Sequence, residues 1–187
     1  MSRRRYEKVP FPVANVRRYL EPGPIVLLTS RHAGQDNVMT MGWHLVMEFS
    51  PSLLGCVIAR GNHSHEMIAR SGQCVINLPT RDIVDEVVGI GNCSGASVDK
   101  FERFGLTRRA ASKVAAPLLD DCVASFECRI ADRALIDRYD FFMLEVVAAH
   151  AAVSPAHPAT LHYTGDGVFM VAGKVISRRS HFRPEML

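Results

Sequence analysis

The sequence predicts a mainly β protein, a largely antiparallel barrel with a few helices. One observation is that apolar runs rich in Val, Ile, Phe and Leu recur between Gly, Pro, Ser and Asp residues, which is typical of strands. Another is that strands and helices alternate only in the middle of the chain, whereas the second half is a succession of strands. This order disfavours a doubly wound parallel sheet, which needs alternation throughout.

The predicted strands follow the apolar runs in chain order. They cover residues 24–29, 38–49, 53–59, 73–78, 122–132, 141–151 and 167–171. Each run is rich in residues that favour extended backbone and is bounded by turn-forming residues.

Two segments are predicted to be helices instead. Residues 62–72 begin with cap-type residues and stop at Gly72, as helices commonly do. Residues 80–90 open with Thr80, and their apolar residues recur at helical spacing. The predicted buried face of this second helix consists of Ile83, Val84, Val87 and Val88.

Length and composition predict one domain over residues 1–187, with a core at about 24–174 and short tails at 1–10 and 177–187. The net charge of +3 is spread over small basic groups, which does not indicate nucleic-acid binding. The longest apolar stretch, residues 53–59, is far shorter than the roughly 20 residues of a membrane span. The first residues lack the apolar core of a signal peptide, so we expect a cytoplasmic protein without membrane contact.

The cysteines and histidines predict neither a disulfide framework nor a metal site. The five cysteines are odd in number and form no C-x-x-C pair, so most are expected to be core thiols. His63 and His65 are two apart, a spacing that shares one face only on a strand, and this stretch is predicted to begin a helix.

No Ser or Cys lies in a recognisable triad context. Residues 89–94 resemble a dinucleotide loop, but they end in Ser and follow a helical segment, so a Rossmann loop is rejected.

Three segments are candidates for a binding site. Residues 37–43 carry the only Trp of the chain beside a Gly that permits close approach. Residues 60–64 bring Arg60 and a hydroxyl to a predicted helix start, where anions bind. Residues 94–101 form a small-residue loop with Lys100 near its end. Taken singly, these segments are also compatible with a core Trp, an ordinary capped helix and a solvated loop, respectively.

In combination the segments resemble the flavin reductase-like, FMN-binding split-barrel family, in particular its flavoredoxin-type branch. The resemblance runs from about Pro24 to Lys174. It rests on seven motifs in order: Asn37-x-Met39-Thr40-x-x-Trp43; Ser50-Pro51; residues 59–64; residues 75–79; Cys93-Ser94-Gly95 followed by Asp99-Lys100-Phe101; Tyr139-Asp140-Phe141-Phe142 leading into residues 145–147; and Gly167-x-Phe169 before Gly173-Lys174.

The resemblance implies a Greek-key split β-barrel that forms a homodimer and holds FMN in a groove near the subunit interface, with residues 139–142 as part of the dimer face. The residues implied for cofactor binding are Asn37, Val38, Met39, Thr40, Met41, Trp43, Ala59, Arg60, Asn62, His63, Ser64, Asn77, Cys93, Ser94, Gly95, Lys100, Tyr139 and Phe169. Among them, residues 37–41 would contact the isoalloxazine edge, and Arg60, Ser64 and Lys100 would take the phosphate.

The implied function is that of an FMN-dependent oxidoreductase. NAD(P)H would be the reductant, and the reduced flavin would pass electrons to a small molecule or to a partner oxidoreductase. A flavin supplies the redox chemistry itself, so the lack of a triad or metal cluster in the motifs is consistent with this function. Two alternatives remain open from the sequence: a flavoredoxin-like electron carrier without NAD(P)H turnover, and a non-catalytic split-barrel module that binds flavin or haem.

Overall fold

The computed structural model describes residues 23–186, so the predicted tail at 1–10 lies outside the described residues. The strands are β1 (Val26–His32), β2 (Gln35–Met41), β3 (His44–Phe49), β4 (Ser52–Val57), β5 (Gln73–Leu78), β6 (Arg108–Arg109), β7 (Leu118–Leu119), β8 (Ala124–Asp132), β9 (Phe141–Ala151), β10 (Leu161–Gly165) and β11 (Val168–Val171). The helices are α1 (His63–Ser71), α2 (Val84–Gly91), α3 (Lys100–Arg103) and α4 (Ile136–Tyr139). Short 3₁₀ turns lie at Arg81–Ile83, Arg179–His181 and Pro184–Met186.

Seven strands form one antiparallel sheet in the order β2-β1-β5-β8-β9-β4-β3. Its two edge strands, β2 and β3, follow one another in the chain and are separated only by Gly42 and Trp43. The sheet therefore curls so that its edges approach at this connection, while β2 and β3 do not pair with each other. Register shifts in β3 and β8 bend the strands further. The result is a barrel that is open along one side.

The two faces of the sheet carry separate cores. In β1, Val26 and Leu28 face one core, and Leu27 faces the other. This explains the unbroken apolar run in β1, because a strand buried on both faces needs no polar alternation. α1 packs Ile68 into the first core and ends at Gly72, which adopts a left-handed conformation (φ 73°) and donates its N–H to Ile68 O at 2.8 Å. The helix α2 packs on the second core.

The segment between β6 and β8 is held on the sheet by polar side chains. Glu127 is fully buried and accepts hydrogen bonds from the Ser112, Lys113 and Val114 N–H groups, at 2.8, 2.5 and 3.2 Å. His150 Nε2 lies 2.8 Å from the same carboxylate. Burial alone would raise the pKa of Glu127, but these hydrogen bonds, together with that of the Ser112 hydroxyl, lower it to about 2.

The structure corrects three details of the predicted elements. The predicted strand 38–49 is two strands, because the chain bends at Gly42, where a side chain would crowd Ile25. The predicted helix 80–90 begins with a 3₁₀ turn and buries Val87 and Ile90, whereas Val88 is 41% exposed. The strands β6, β7 and β10 and the short helices α3 and α4 were not predicted. None of the helices in the described part of the chain has the length and apolar composition needed to cross a membrane.

Candidate functional site

Three of the predicted site residues, which come from distant parts of the sequence, meet at one place. Asn37 on β2 is 3% exposed, and its Nδ2 donates to Ser64 Oγ in α1 at 2.8 Å. A Cβ on Gly95 would overlap Asn37 Oδ1, so the loop after α2 lies directly against this carboxamide. Asn37 Oδ1 is buried and has no hydrogen-bond partner among the described residues. We call Asn37, Ser64 and Gly95 the Asn37 cradle.

The start of α1 borders the cradle and lacks a side-chain cap. Asn62 occupies the N-cap position, but its Nδ2 donates to Ala59 O at 3.2 Å and its side chain accepts nothing from the helix. The first turn of a nine-residue helix therefore presents amide groups without a side-chain acceptor. His63, the first residue of the helix, is half-buried. Such a helix start favours negative charge.

Arg60 stands beside this helix start and is tied to the end of α4. Its Nε lies 3.0 Å from Asp140 Oδ1, and its Nη2 donates to Asp137 O. The same Asp140 oxygen lies 3.3 Å from Nε2 of His65. Asp140 thereby fixes the Arg60 loop relative to α1, while Arg60 is exposed and keeps free donor capacity.

A cleft of about 780 Å³ opens farther along β2. Aromatic side chains from three parts of the chain line it: Trp43 between β2 and β3, Tyr163 on β10 and Phe169 on β11. Thr40 donates its hydroxyl to Val87 O at 2.6 Å, so its oxygen stays available as an acceptor. The other lining residues are Ile25, Gly42, Val87, Val88, Gly91, Asn92 and Gly167, and no charged residue of the described chain is among them. The cleft therefore suits a flat, uncharged ring.

The remaining predicted residues of β2 pack their side chains into or against the two cores. Val38 and Met41 are buried at 0% and 4% exposure, and Met39 packs against the first core. Among the described strands β2 has only β1 as a neighbour, so half of its backbone N–H and C=O groups point away from the sheet.

The loop after α2 and the first residue of α3 include three further predicted residues. Ser94 is exposed and accepts hydrogen bonds at its carbonyl from Ser97 N at 3.2 Å and Val98 N at 3.1 Å. Cys93 is half-buried, and its Sγ donates to Gly89 O at 3.4 Å. Lys100 is 5% exposed and donates from Nζ to Ile90 O at 2.9 Å. Burial lowers the pKa of Lys100, and the neighbouring Cys93 partly opposes this effect.

Two predicted residues lie apart from the cradle and the cleft. Asn77 is fully buried, with its Nδ2 donating to Leu27 O at 3.1 Å and its Oδ1 accepting from Leu119 N at 3.0 Å and Ser125 Oγ at 2.7 Å. The structure therefore places Asn77 in the interior, where it joins strands. Tyr139 is 56% exposed at the end of α4 and stacks with Arg138.

Sequence reasoning missed two parts of the site. Asp140, with a positive φ of 54°, places one carboxylate oxygen close to both Arg60 and His65. The local sequence around Asp140 does not indicate this role. The cleft wall contributed by Tyr163 belongs to β10, a strand whose short run among polar residues gave no strand pattern.

Comparisons with known proteins show the family and the fold of the chain. Residues 17–171 match the model of the "Flavin reductase like domain" family. The chain is 28% identical over 125 residues to the FMN reductase (NADH) RutF of Stutzerimonas stutzeri, covering 67% of this chain and 69% of that protein. An FMN-binding domain of a flavin reductases-like enzyme from Shewanella baltica OS155 is 28% identical, with a TM-score of 0.76 over 89% of this chain and 95% of that chain.

A flavoredoxin from Methanosarcina acetivorans has the same fold at 22% identity, with a TM-score of 0.79 over 97% of this chain and 100% of that chain. The fold predicted from the motifs is thereby confirmed. The chain belongs to the flavin reductase-like domain family, and its curled, seven-stranded sheet is the split barrel of that family.

Proposed function

We propose that this protein is an FMN-binding oxidoreductase that takes electrons from NAD(P)H and passes them from the reduced flavin to an acceptor. The observation that carries the proposal is the Asn37 cradle, where a buried acceptor atom without a partner adjoins an uncapped helix start. A buried polar atom in such a position costs free energy unless a ligand satisfies it.

The residues present fit both the phosphate end and the ring end of FMN. The first turn of α1, with Ser64 and Arg60, offers N–H and O–H donors and a positive charge to a phosphate. Asn37 Oδ1 would accept a hydrogen bond from a hydroxyl or ring N–H group. The uncharged aromatic cleft begins at Thr40, three residues farther along β2 than Asn37 or roughly 10 Å at the rise of a strand, and has room for a flat ring.

FMN, when bound, supplies the two-electron redox chemistry, and the chain supplies binding, orientation and electrostatics. The outer backbone groups of β2 would fix the ring edge, with Thr40 as a further acceptor. Trp43 and Phe169 would cover the ring and exclude water from it. Cys93, Ser94 and Gly95 would form the wall between ring and phosphate, and Ala59, Asn62 and His63 would shape the phosphate end.

NAD(P)H as the reductant is the finer part of the proposal. It is supported by the similarity to two RutF proteins described as NADH-dependent FMN reductases, at 28% identity. We propose a small-molecule acceptor or a partner oxidoreductase as the destination of the electrons.

We further propose that the protein acts as a homodimer through the outward face of β3, β4 and β9. Leu45 and Met47 on β3 are 50% and 39% exposed, although both are apolar. Gly55 on β4 lies between them and the ring of Phe141, which would overlap a Cβ at that position. Of the predicted face 139–142, Phe142 instead belongs to the first core at 0% exposure. An apolar sheet face of this kind is typical of an interface with another protein surface.

Anaerobic reduction of the purified, FMN-loaded protein tests the function. We expect a yellow protein whose flavin absorbance is bleached by NADH, by NADPH or by both. Bleaching by dithionite but by neither nucleotide would contradict the reductase proposal and favour an electron carrier. A colourless protein that ignores added FMN would overturn flavin binding altogether.

A further inference from the structure

The ammonium group of Lys100 is committed to the end of a neighbouring helix. Lys100 is 5% exposed and donates to Ile90 O, in the last turn of α2, at 2.9 Å. Carbonyl groups in the last turn of a helix lack intrahelical partners, and a cation there is stabilising. The Cys93 thiol reinforces the same helix end through Gly89 O at 3.4 Å.

The hydrogen bond between Lys100 and Ile90 O joins the two ends of the loop between α2 and α3. Within that loop, Ser94 O accepts from Ser97 N and Val98 N. At the far end, the Asp99 carboxylate caps α3 by accepting from Phe101 N at 2.9 Å. The loop is therefore anchored at both ends and folded internally, and its Gly95 is pressed against Asn37 in the cradle.

We propose that Lys100 is a positioning residue rather than a ligand of the FMN phosphate. Its hydrogen bond to Ile90 O, which we call the latch, fixes this loop and thereby holds Gly95 against Asn37. The inference rests on the proposed function, since the cradle matters to the extent that it binds flavin. It differs from the role implied by family resemblance, in which Lys100 touches the phosphate directly. The Lys100 ammonium is instead bonded to Ile90 O, in the last turn of α2, at 2.9 Å.

Binding of FMN and of riboflavin, which has no phosphate, separates the two roles. We expect Lys100→Met to weaken both ligands by the same factor, about tenfold or about 1.4 kcal/mol, and to alter the absorption spectrum of the bound flavin. Lys100→Arg, which retains a cation for Ile90 O, should restore the spectrum and most of the affinity. Arg103→Met is the matched control, because it removes an exposed charge from the same helix α3 without touching α2. It should leave both affinities unchanged.

Loss of affinity for FMN alone would assign Lys100 to the phosphate and overturn the latch. Unchanged binding of both flavins by Lys100→Met would overturn it as well.

Amine labelling of the wild-type protein tests the latch even where Lys100→Met does not fold. Mass spectrometry should find Lys100 labelled much more slowly than the exposed Lys113 and Lys174, with and without FMN. Labelling of Lys100 at the rate of Lys113 in flavin-free protein would show that the latch is open and contradict the proposal. If the wild-type protein binds neither flavin, the proposed function fails, and labelling alone then decides whether the latch is closed.

Discussion

At Gly95 a single methyl group should be enough to damage the candidate site. A Cβ there would overlap Asn37 Oδ1, and Asn37 cannot retreat freely because it is buried and bonded to Ser64. We therefore expect Gly95→Ala to weaken FMN binding by about 1–3 kcal/mol, the usual cost of overpacking. Titration of FMN with the protein, followed by flavin fluorescence, measures the change in binding free energy.

Gly173→Ala is the matched control for this prediction. Gly173 lies after β11 and outside the assigned site, and the nearest atom to a Cβ there would be Val171 O at 3.9 Å, an ordinary van der Waals distance. The control should bind FMN as the wild-type protein does. Equal affinity of Gly95→Ala and wild type would mean that the loop yields and that the contact with Asn37 does not shape the site.

At the scale of elements, the segment 107–119 depends on Glu127. The pKa of this carboxyl is about 2 in the folded protein, against an ordinary value of 4.5. Because the folded value is the lower one, the stabilisation is fully present above about pH 4.5 and is lost as the pH falls through about 2. The difference corresponds to roughly 3 kcal/mol.

We expect Glu127→Gln to lower the free energy of unfolding by roughly that amount, about 3 kcal/mol, at pH 7. The difference in the free energy of unfolding between wild type and variant should become smaller as the pH falls below 4.5, because the wild-type carboxylate is then protonated in the unfolded state. Urea unfolding at several pH values measures both quantities. Glu145→Gln, at an exposed position on β9, is the control and should change stability little. A gap that stays constant with pH would contradict the assigned ionisation of Glu127.

The same segment shows where sequence patterns stop being informative. The strands β5 and β9 have the bounds that their apolar runs predict, because both are held by burial in the sheet. The segment 107–119 is held instead by side chains of Asn77 and Glu127 that bond to its backbone. The backbone N–H group of any residue except proline can donate such a bond, so the segment itself carries no periodic signal.

The candidate site shows a similar limit. The motifs identified Asn37, Ser64 and Gly95 one by one, but their contact depends on the curl of the sheet and on the loop after α2. For Lys100, near the end of a small-residue loop, the resemblance implied a contact with the phosphate. Its burial against Ile90 depends on how α3 packs beside α2, and neither helix encodes this by itself.

At the scale of the whole molecule, the exposed apolar face of β3 predicts a dimer. Leu45→Glu places a charge on this face at a side chain that is half exposed in the single chain, so the fold itself should survive. We expect light scattering to show a dimer for the wild-type protein and a monomer for the variant, because an unpaired charge is costly in an apolar interface. Val153→Glu, at a fully exposed position, is the control and should remain dimeric. A monomeric wild-type protein with full FMN occupancy would contradict a site near a shared interface.

The most direct test of the central claim is a titration of flavin-free protein with FMN, monitored by absorbance and by quenching of flavin fluorescence. The structure has one Asn37 cradle and one adjoining aromatic cleft among the described residues of each chain. We therefore predict saturation at one FMN per chain, with a shifted and better resolved flavin spectrum. The absence of quenching and of any spectral change at excess FMN would contradict the claim that this site holds a flavin.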